Sequence, residues 1–217
     1  MNKRELLRWI VAGGAMGASG IVSRALAKGD IPPGVHKLDG TLRVNGVDAR
    51  VGTPVQVGDR LATGPKSEAV VVLGKDAFLL RSGTVIEFKG EQGVLRELLV
   101  ATGDLLSVFS KKPLAIKAAS ASIGIRGTGA YIEVLASEVY FCLCYGEALI
   151  AGPNMADKLV KTSHHEQPLL IRMDGSNMRA DAGPFRNHTD AELVMLEALV
   201  GREPPFVKDG VYPSGKY

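Results

Sequence analysis

The chain has 217 residues, of which 46% are hydrophobic and 6% aromatic. It carries 26 basic and 23 acidic residues, but residues 1–27 hold four of the basic and one of the acidic ones, so the remainder has 22 of each and is formally neutral. A neutral chain lacks the electrostatic footprint of a protein that binds nucleic acid or an anionic membrane surface. We therefore expect neither kind of partner.

The N-terminus has the pattern of an export signal. The basic segment Asn2–Arg8 precedes the apolar run Trp9–Val22, and Ala25-Leu26-Ala27 supplies a cleavage site of the A-x-A type. The apolar run is shorter than the ~20 residues that a membrane-spanning helix needs. The basic segment resembles a twin-arginine export motif in which Lys3 replaces the first arginine. We expect cleavage after Ala27 and a periplasmic protein with no stable membrane span.

Residues 28–150 have the pattern of an all-β domain. Short runs rich in Val, Ile and Leu are separated by Gly, Pro, Asp and Ser, which is typical of strands joined by turns. Asn45-Gly46 predicts one tight hairpin and Gly74-Lys75-Asp76 a second. We predict a glycine-rich β-roll or sandwich of about ten short strands.

Three segments of this domain share the pattern G-[DE]-x-L, and they begin at Gly58, Gly103 and Gly146. A turn that recurs in successive layers of a stacked scaffold would produce this pattern. Chance recurrence of glycine–acidic turns in a glycine-rich β protein explains it equally well.

Residues 151–217 form a C-terminal extension with one predicted helix, residues 190–200. Thr189 and Glu192 form a capping box at its start, and Gly201 provides a stop. The apolar stripe at helical spacing between them consists of Leu193, Leu196 and Val200. We expect the helix to pack over an open end or edge of the β domain.

Two glycine-rich motifs lie within the β domain. The segment Ile123–Val134 has two strand-like runs around Arg126-Gly127-Thr128, and Gly58–Gly64 has the sequence G-D-R-L-A-T-G. An ordinary glycine-broken turn explains the first motif alone. Together and in this order they resemble the FecR domain, the periplasmic domain of ferric-citrate uptake regulators, over about residues 40–150. The residues that carry the resemblance are Gly58, Asp59, Leu61, Thr63, Gly64, Arg126, Gly127 and Thr128.

Regulators of that family combine a cytoplasmic anti-sigma region, one membrane span and a periplasmic domain that senses an outer-membrane transporter. In this chain the segment before the domain has the pattern of a signal instead. The resemblance therefore implies the domain itself, acting in binding or signalling with a periplasmic or envelope protein as its partner.

Cys142 and Cys144 are the only cysteines, and they alternate along the strand-like run Tyr140–Tyr145. Residues i and i+2 of a strand share a face. Their Cα atoms would lie about 6.5 Å apart with parallel Cβ vectors, which does not suit a disulfide. Buried inert thiols, a strained redox pair and soft metal ligands all remain open as interpretations.

Three of the four histidines, His164, His165 and His188, follow in the extension. Two thiolates with one or two imidazoles satisfy a tetrahedral zinc site or a copper site. The alternative function is therefore a small periplasmic metal-binding protein whose ligands are Cys142, Cys144, His188 and one of His164 or His165. Core thiols with surface histidines near a helix cap are the competing explanation.

Catalytic signatures are missing from the sequence. It contains no G-x-S-x-G, H-E-x-x-H, C-x-x-C or phosphate-binding glycine loop. Glu133, Glu138 and Glu147 lie near the glycine-rich stretch, but carboxylates scattered on strands usually face solvent. We expect no enzymatic activity and, apart from zinc or copper under the alternative function, no cofactor.

Overall fold

A computed structural model describes residues 31–208 and Gly210. The predicted signal, residues 1–27, lies outside this part of the chain. The described part is built mainly from strands with one main helix near its C-terminal end, which confirms the predicted all-β class. None of its helices is long and apolar enough to span a membrane.

Residues 31–208 contain fifteen strands. They are β1 (Gly34–Asp39), β2 (Leu42–Val44), β3 (Val47–Asp48), β4 (Arg60–Thr63), β5 (Glu68–Leu73), β6 (Asp76–Leu80), β7 (Val85–Glu91), β8 (Val94–Val108), β9 (Leu114–Ala118), β10 (Ala121–Ile125), β11 (Gly129–Val134), β12 (Val139–Ala151), β13 (Lys158–Thr162), β14 (Leu169–Asp174) and β15 (Asn177–Ala182). The helices are α1 (Asp190–Leu199) and α2 (Pro205–Lys208). The extension thus supplies three strands beyond those that the sequence predicted.

The strands form two sheets that pack face to face. Sheet 1 has the order β1-β5-β6-β8-β11-β12-β14-β15, and sheet 2 has the order β3-β2-β4-β7-β8-β9-β10-β12-β13. Among the described strands, β8 and β9 pair in parallel and the other pairs are antiparallel. The long strands β8 and β12 belong to both sheets, one half of each strand to each sheet.

Glycine marks the residue at which each long strand changes sheet. In β8, Thr102 still pairs with β7 and Gly103 pairs with β11. In β12, Tyr145 pairs with β11 and Gly146 with β13. Gly103 has φ 85° and Gly146 has φ 101°, a region that strongly favours glycine. Two of the three G-[DE]-x-L segments are therefore bends inside continuous strands and not turns between strands.

The two predicted hairpins are present. Asn45 and Gly46 both have positive φ, 52° and 82°, between β2 and β3, as a primed turn requires. Gly74, with φ 63°, lies between β5 and β6.

The two glycine-rich motifs hold turns in place. The Asp59 carboxylate accepts a hydrogen bond from the Asn45 side chain at 2.7 Å, which joins the Gly58–Gly64 motif to the β2–β3 turn. Arg126 Nε donates to the Lys111 carbonyl at 3.0 Å, as expected for a guanidinium that caps a carbonyl. Gly127 has φ 65°. Asp59, Arg126 and Gly127 therefore stabilise turns of the β domain.

Sheet 1 is buried on both faces. All six residues of β11 are buried. One face contributes to the core between the sheets, and the other packs against α1 and α2. The prediction that the helix covers an open end or edge is wrong: α1 packs on β6 and β8 over the outer face of sheet 1, because an apolar face must be covered from water.

Candidate metal centre

The two cysteines lie on the outer face of sheet 1. Both belong to the half of β12 that pairs with β11, and both are free thiols with no exposed surface. Their neighbour Leu143 points into the core between the sheets, as the alternation of a strand requires. The sulfur atoms therefore face the segment of the extension that covers this sheet.

His165 reaches the cysteines from the loop that follows β13. Its backbone N–H donates to the Cys144 carbonyl at 3.0 Å, and its backbone is left-handed with φ 56°. Its ring nitrogen Nδ1 lies 3.5 Å from Cys142 Sγ. The loop thus turns sharply at His165 and directs the ring inward.

His188 arrives from the segment that precedes α1. Its Nε2 lies 3.5 Å from Cys144 Sγ and 3.2 Å from His165 Nδ1. Its ring stacks on Tyr131 of β11, with centroids 4.5 Å apart and an interplanar angle of 22°. The aromatic face of Tyr131 therefore fixes the plane in which this imidazole lies.

Ligand atoms of these four residues all lie within 4.8 Å of one another. In a tetrahedral zinc site with bonds of about 2.3 Å to sulfur and 2.0–2.1 Å to nitrogen, neighbouring sulfur and nitrogen atoms are about 3.6 Å apart and two nitrogens about 3.3 Å apart. The sulfur–nitrogen distances of 3.5 Å and the nitrogen–nitrogen distance of 3.2 Å match this shape. These three distances suit a tetrahedral ion, and the other donor separations lie within 4.8 Å.

Both imidazoles are oriented by a partner on their outer nitrogen. His165 Nε2 lies 3.0 Å from Asp190 Oδ1, and His188 Nδ1 lies 2.8 Å from the Arg186 carbonyl oxygen. A metal ion bound here would leave the proton of each ring on its outer nitrogen, where it satisfies these acceptors, and would use the lone pairs of His165 Nδ1 and His188 Nε2. Carboxylate and carbonyl partners of this kind typically accompany histidine ligands of metals.

His164, the other predicted candidate, lies outside the set of four. Its Nε2 is 2.9 Å from both oxygens of Asp190. With His165 and Asp190 it forms a second buried group of three donors, but their separations of 2.9–3.0 Å are those of hydrogen bonds. His164 therefore helps to hold the carboxylate that orients His165.

The surroundings favour a thiolate at this position. Hydrogen bonds from the Cys144 thiol and from His165 and His188 outweigh burial and lower the pKa of Cys142 to about 4. Burial raises the pKa of Cys144. Burial also raises the pKa of Asp190, but its bonds to the two imidazoles prevail and the pKa is lowered overall. One thiolate beside a neutral thiol is a starting state to which a metal ion binds by displacing the remaining proton.

The site is closed to solvent. Cys142 and Cys144 are 0% exposed, His165 is 4% exposed and His188 3%. The rings of Phe185 and Phe206 pack against the histidines, with centroids 4.6–4.8 Å apart. Sites of four protein ligands without an open position are characteristic of structural zinc.

The acidic residues near the glycine-rich stretch have ion-pair partners. Glu133 Oε2 lies 2.7 Å from Arg186 Nη2 as an ion pair, and Glu138 Oε1 lies 3.5 Å from the same atom. Glu147, on the half of β12 in sheet 2, pairs with Lys161 at 2.7 Å. Glu133 thereby fixes Arg186, whose carbonyl orients His188.

Sequence reasoning missed the contributions of Asp190, Arg186 and Tyr131. Asp190 follows the capping threonine and is what a helix N-terminus favours, so its sequence position already has a local explanation. Its proximity to the His164-His165 pair becomes visible only in three dimensions.

Comparisons with known proteins give limited similarity. No family model matches the chain, and no curated protein matches it. Two crystal structures of a candidate anti-sigma factor from Parabacteroides distasonis ATCC 8503 superpose with a TM-score of 0.48 at 10% sequence identity. The alignment covers 57% of this chain and 59% of that chain, so it spans less than two thirds of the length of either.

Proposed function

We propose that this protein binds one zinc ion through Cys142, Cys144, His165 and His188, and that the ion is structural. The observation that carries the proposal is the convergence of these four buried donors within 4.8 Å, with sulfur–nitrogen and nitrogen–nitrogen distances that suit a tetrahedral ion. Chance packing would not supply matched acceptors for the outer nitrogens of both imidazoles.

Charge and geometry favour zinc over copper. Two thiolates and two neutral imidazoles around a divalent ion form a centre with no net charge, whereas monovalent copper would leave one buried negative charge. An unpaired buried charge is costly. Divalent copper prefers a flatter arrangement, and tetrahedral coordination by two sulfurs and two nitrogens is typical of zinc.

A nucleophilic cysteine is the competing explanation for part of the same geometry. Cys142, His165 and Asp190 are connected in the order of a Cys–His–Asp triad. A nucleophile must meet its substrate, and Cys142 has no exposed surface. A triad also leaves Cys144 and the inward nitrogen of His188 without a role, whereas a metal site uses both.

The test is elemental analysis of the full chain, purified without metal chelators from cells that export it. We expect one zinc per chain, loss of that zinc in Cys142→Ser, and unchanged content in His36→Ala. His36 lies in β1 and bonds to the Pro32 carbonyl, so it is a matched histidine outside the donor cluster. Metal-free wild-type protein that remains folded and takes up no added zinc would contradict the proposal. Iodoacetamide labelling of Cys142 in the folded protein would support the nucleophile instead.

A second proposal concerns the setting in which the domain acts. We propose that the chain is an exported, non-catalytic FecR-like domain that takes part in binding or signalling in the periplasm. The observation that favours it is that Asp59 and Arg126, from the two motifs, each hold a loop of the scaffold. Mass analysis of the exported protein should give a chain that begins at Lys28, and cross-linking in envelope fractions should capture a protein partner. A cytoplasmic, unprocessed chain would contradict this proposal and leave the zinc proposal standing.

A further inference from the structure

The C-terminal arm, residues 183–208, covers the outer face of sheet 1. The arm carries α1, α2 and one of the four donors, His188. We infer that the zinc ion is a clasp that holds this arm closed, so that metal occupancy controls access to the outer face of the sheet. The inference rests on the proposed zinc site.

The donors come from three separate parts of the chain. Cys142 and Cys144 belong to β12, His165 to the loop after β13, and His188 to the arm. An ion bound by all four therefore cross-links the arm to the middle of sheet 1. Asp190, the first residue of α1, adds a second connection because it bonds to His165. The start of α1 is thus held in position by its contact with His165, which is itself a proposed ligand of the ion.

Local backbone conformations indicate that the closed arrangement must be held in place. His165 has φ 56°, and Asn187, directly before His188, has φ 62°. Among residues other than glycine this left-handed region is uncommon, and histidine and asparagine adopt it at a smaller conformational cost than most. Such conformations persist where surrounding interactions enforce them. Both lie at the points where the chain turns a ring toward the sulfurs, so loss of the ion removes an interaction that opposes their relaxation.

The face under the arm is mainly apolar. It presents buried side chains from β5, β6, β8, β11 and β12, among them Val70, Val72, Leu79, Leu106, Val108, Tyr131 and Tyr140. Leu193, Leu196 and Phe206 of the arm pack against this cluster and are almost completely buried. Opening of the arm would expose a continuous surface that fits an amphipathic helix, since it holds one in the closed state.

Polar contacts along the arm are placed to guide its return. Arg81 Nη2 lies 2.8 Å from Glu192 Oε1 and 3.0 Å from the Asn187 carbonyl oxygen. The Arg186 guanidinium lies 4.4 Å from the centre of the Tyr140 ring. Arg81 and Arg186 keep 26% and 29% of their side-chain surface exposed, and ion pairs open to water contribute little on their own. These contacts orient the arm, and the buried ion adds a link to the burial of the arm's apolar side chains.

Hydrogen exchange measured by mass spectrometry tests the clasp. The full chain is compared with bound zinc and after zinc removal by a chelator under reducing conditions, and the zinc content of both samples is measured. We expect amides in residues 185–200 to exchange at least tenfold faster without zinc, while amides of Leu98 and Val100 in sheet 2 keep their rates. Re-addition of zinc should restore protection, and His36→Ala should behave as the wild type.

The outcomes separate the clasp from the zinc site itself. Stoichiometric zinc with unchanged exchange in the arm overturns the clasp and leaves the zinc proposal intact. Equal acceleration in the arm and in sheet 2 also overturns it, because the ion would then stabilise the whole fold. Failure to bind zinc at all overturns both. Selective acceleration in the arm that zinc reverses supports both.

Discussion

The two faces of sheet 1 are made by the same strands and have different chemistry. Toward sheet 2, β11 and β12 present Ile132, Phe141 and Leu143, which have no polar side-chain atoms. Toward the arm, the alternate positions include Tyr131, Tyr140 and the two cysteines. Side chains of the first kind need only to be packed, whereas those of the second kind need partners for their polar atoms. The arm supplies one of them, His188 beside Cys144, while His165 of the loop after β13 lies beside Cys142 and Tyr131 donates to Glu133 of its own strand.

This difference separates the residues that stabilise the fold from the residues that form the candidate metal site. The side chains of the inner face need only apolar contacts, as in any β-sandwich. The outer face gathers thiols, imidazoles and a carboxylate in a closed space, an arrangement that apolar burial does not explain. Substitutions on opposite faces of β12 should therefore affect different properties, and adjacent residues allow a direct comparison.

Cys144→Ser, on the outer face, should have the largest effect on the site. It removes one of four zinc ligands, so we expect loss of bound zinc and of the stability that zinc confers. At free zinc 1,000-fold above Kd that stability is about 4 kcal/mol. Elemental analysis and chemical denaturation with and without zinc measure the two effects. Retention of one zinc per chain in this variant would contradict the ligand assignment.

Leu143→Ala, the adjacent residue on the inner face, should lower stability and leave the site intact. Truncation of a buried leucine typically costs 2–5 kcal/mol, through lost burial and the cavity that remains. We expect an earlier denaturation midpoint in the zinc-loaded form together with one zinc per chain. If this variant lost zinc as Cys144→Ser does, the two faces would not be separable.

Asp190→Asn should weaken zinc binding without removing a ligand. The amide cannot accept from His165 and His164 as a carboxylate does, and loss of such a partner typically reduces metal affinity 10–100-fold. Competition with a chromogenic zinc chelator measures the change. Asp181→Asn, an exposed substitution on β15, is the matched control. Equal affinities for both variants would show that Asp190 does not orient the ligand.

Thr189→Ala should have the smallest effect. The Thr189 side chain and Glu192 form a capping box at the start of α1, and loss of such a cap typically costs about 1 kcal/mol. We expect a modest decrease in stability with zinc still bound. Thermal unfolding measures the stability, and elemental analysis measures the zinc content. A decrease as large as that of Leu143→Ala would mean that the cap supports more than the helix end.

Local features of the fold were predictable because local chemistry determines them. Asn45-Gly46 specifies its turn by backbone conformation, and Thr189 with Glu192 specifies the start of α1. Gly103 and Gly146 carry no local sign that they bend a continuous strand between sheets, since that depends on the pairing of distant strands. The apolar stripe of α1 indicates that the helix packs against another part of the protein but does not identify that part. The predicted position on an edge was therefore wrong.

The candidate site was predictable in part for a similar reason. The period of a strand places Cys142 and Cys144 on one face whatever the fold, so their shared direction followed from sequence. The choice between His164 and His165 depends on the left-handed backbone of His165, which neither composition nor spacing indicates. The role of Asp190 could not be predicted from sequence, because it depends on the arm lying across sheet 1.

X-ray absorption at the zinc edge, on full-length protein purified without added metal, tests the central claim most directly. The account predicts two sulfur neighbours at about 2.3 Å and two imidazole nitrogens at about 2.0–2.1 Å. A first shell of oxygen and nitrogen alone, or protein that binds no zinc, would contradict it.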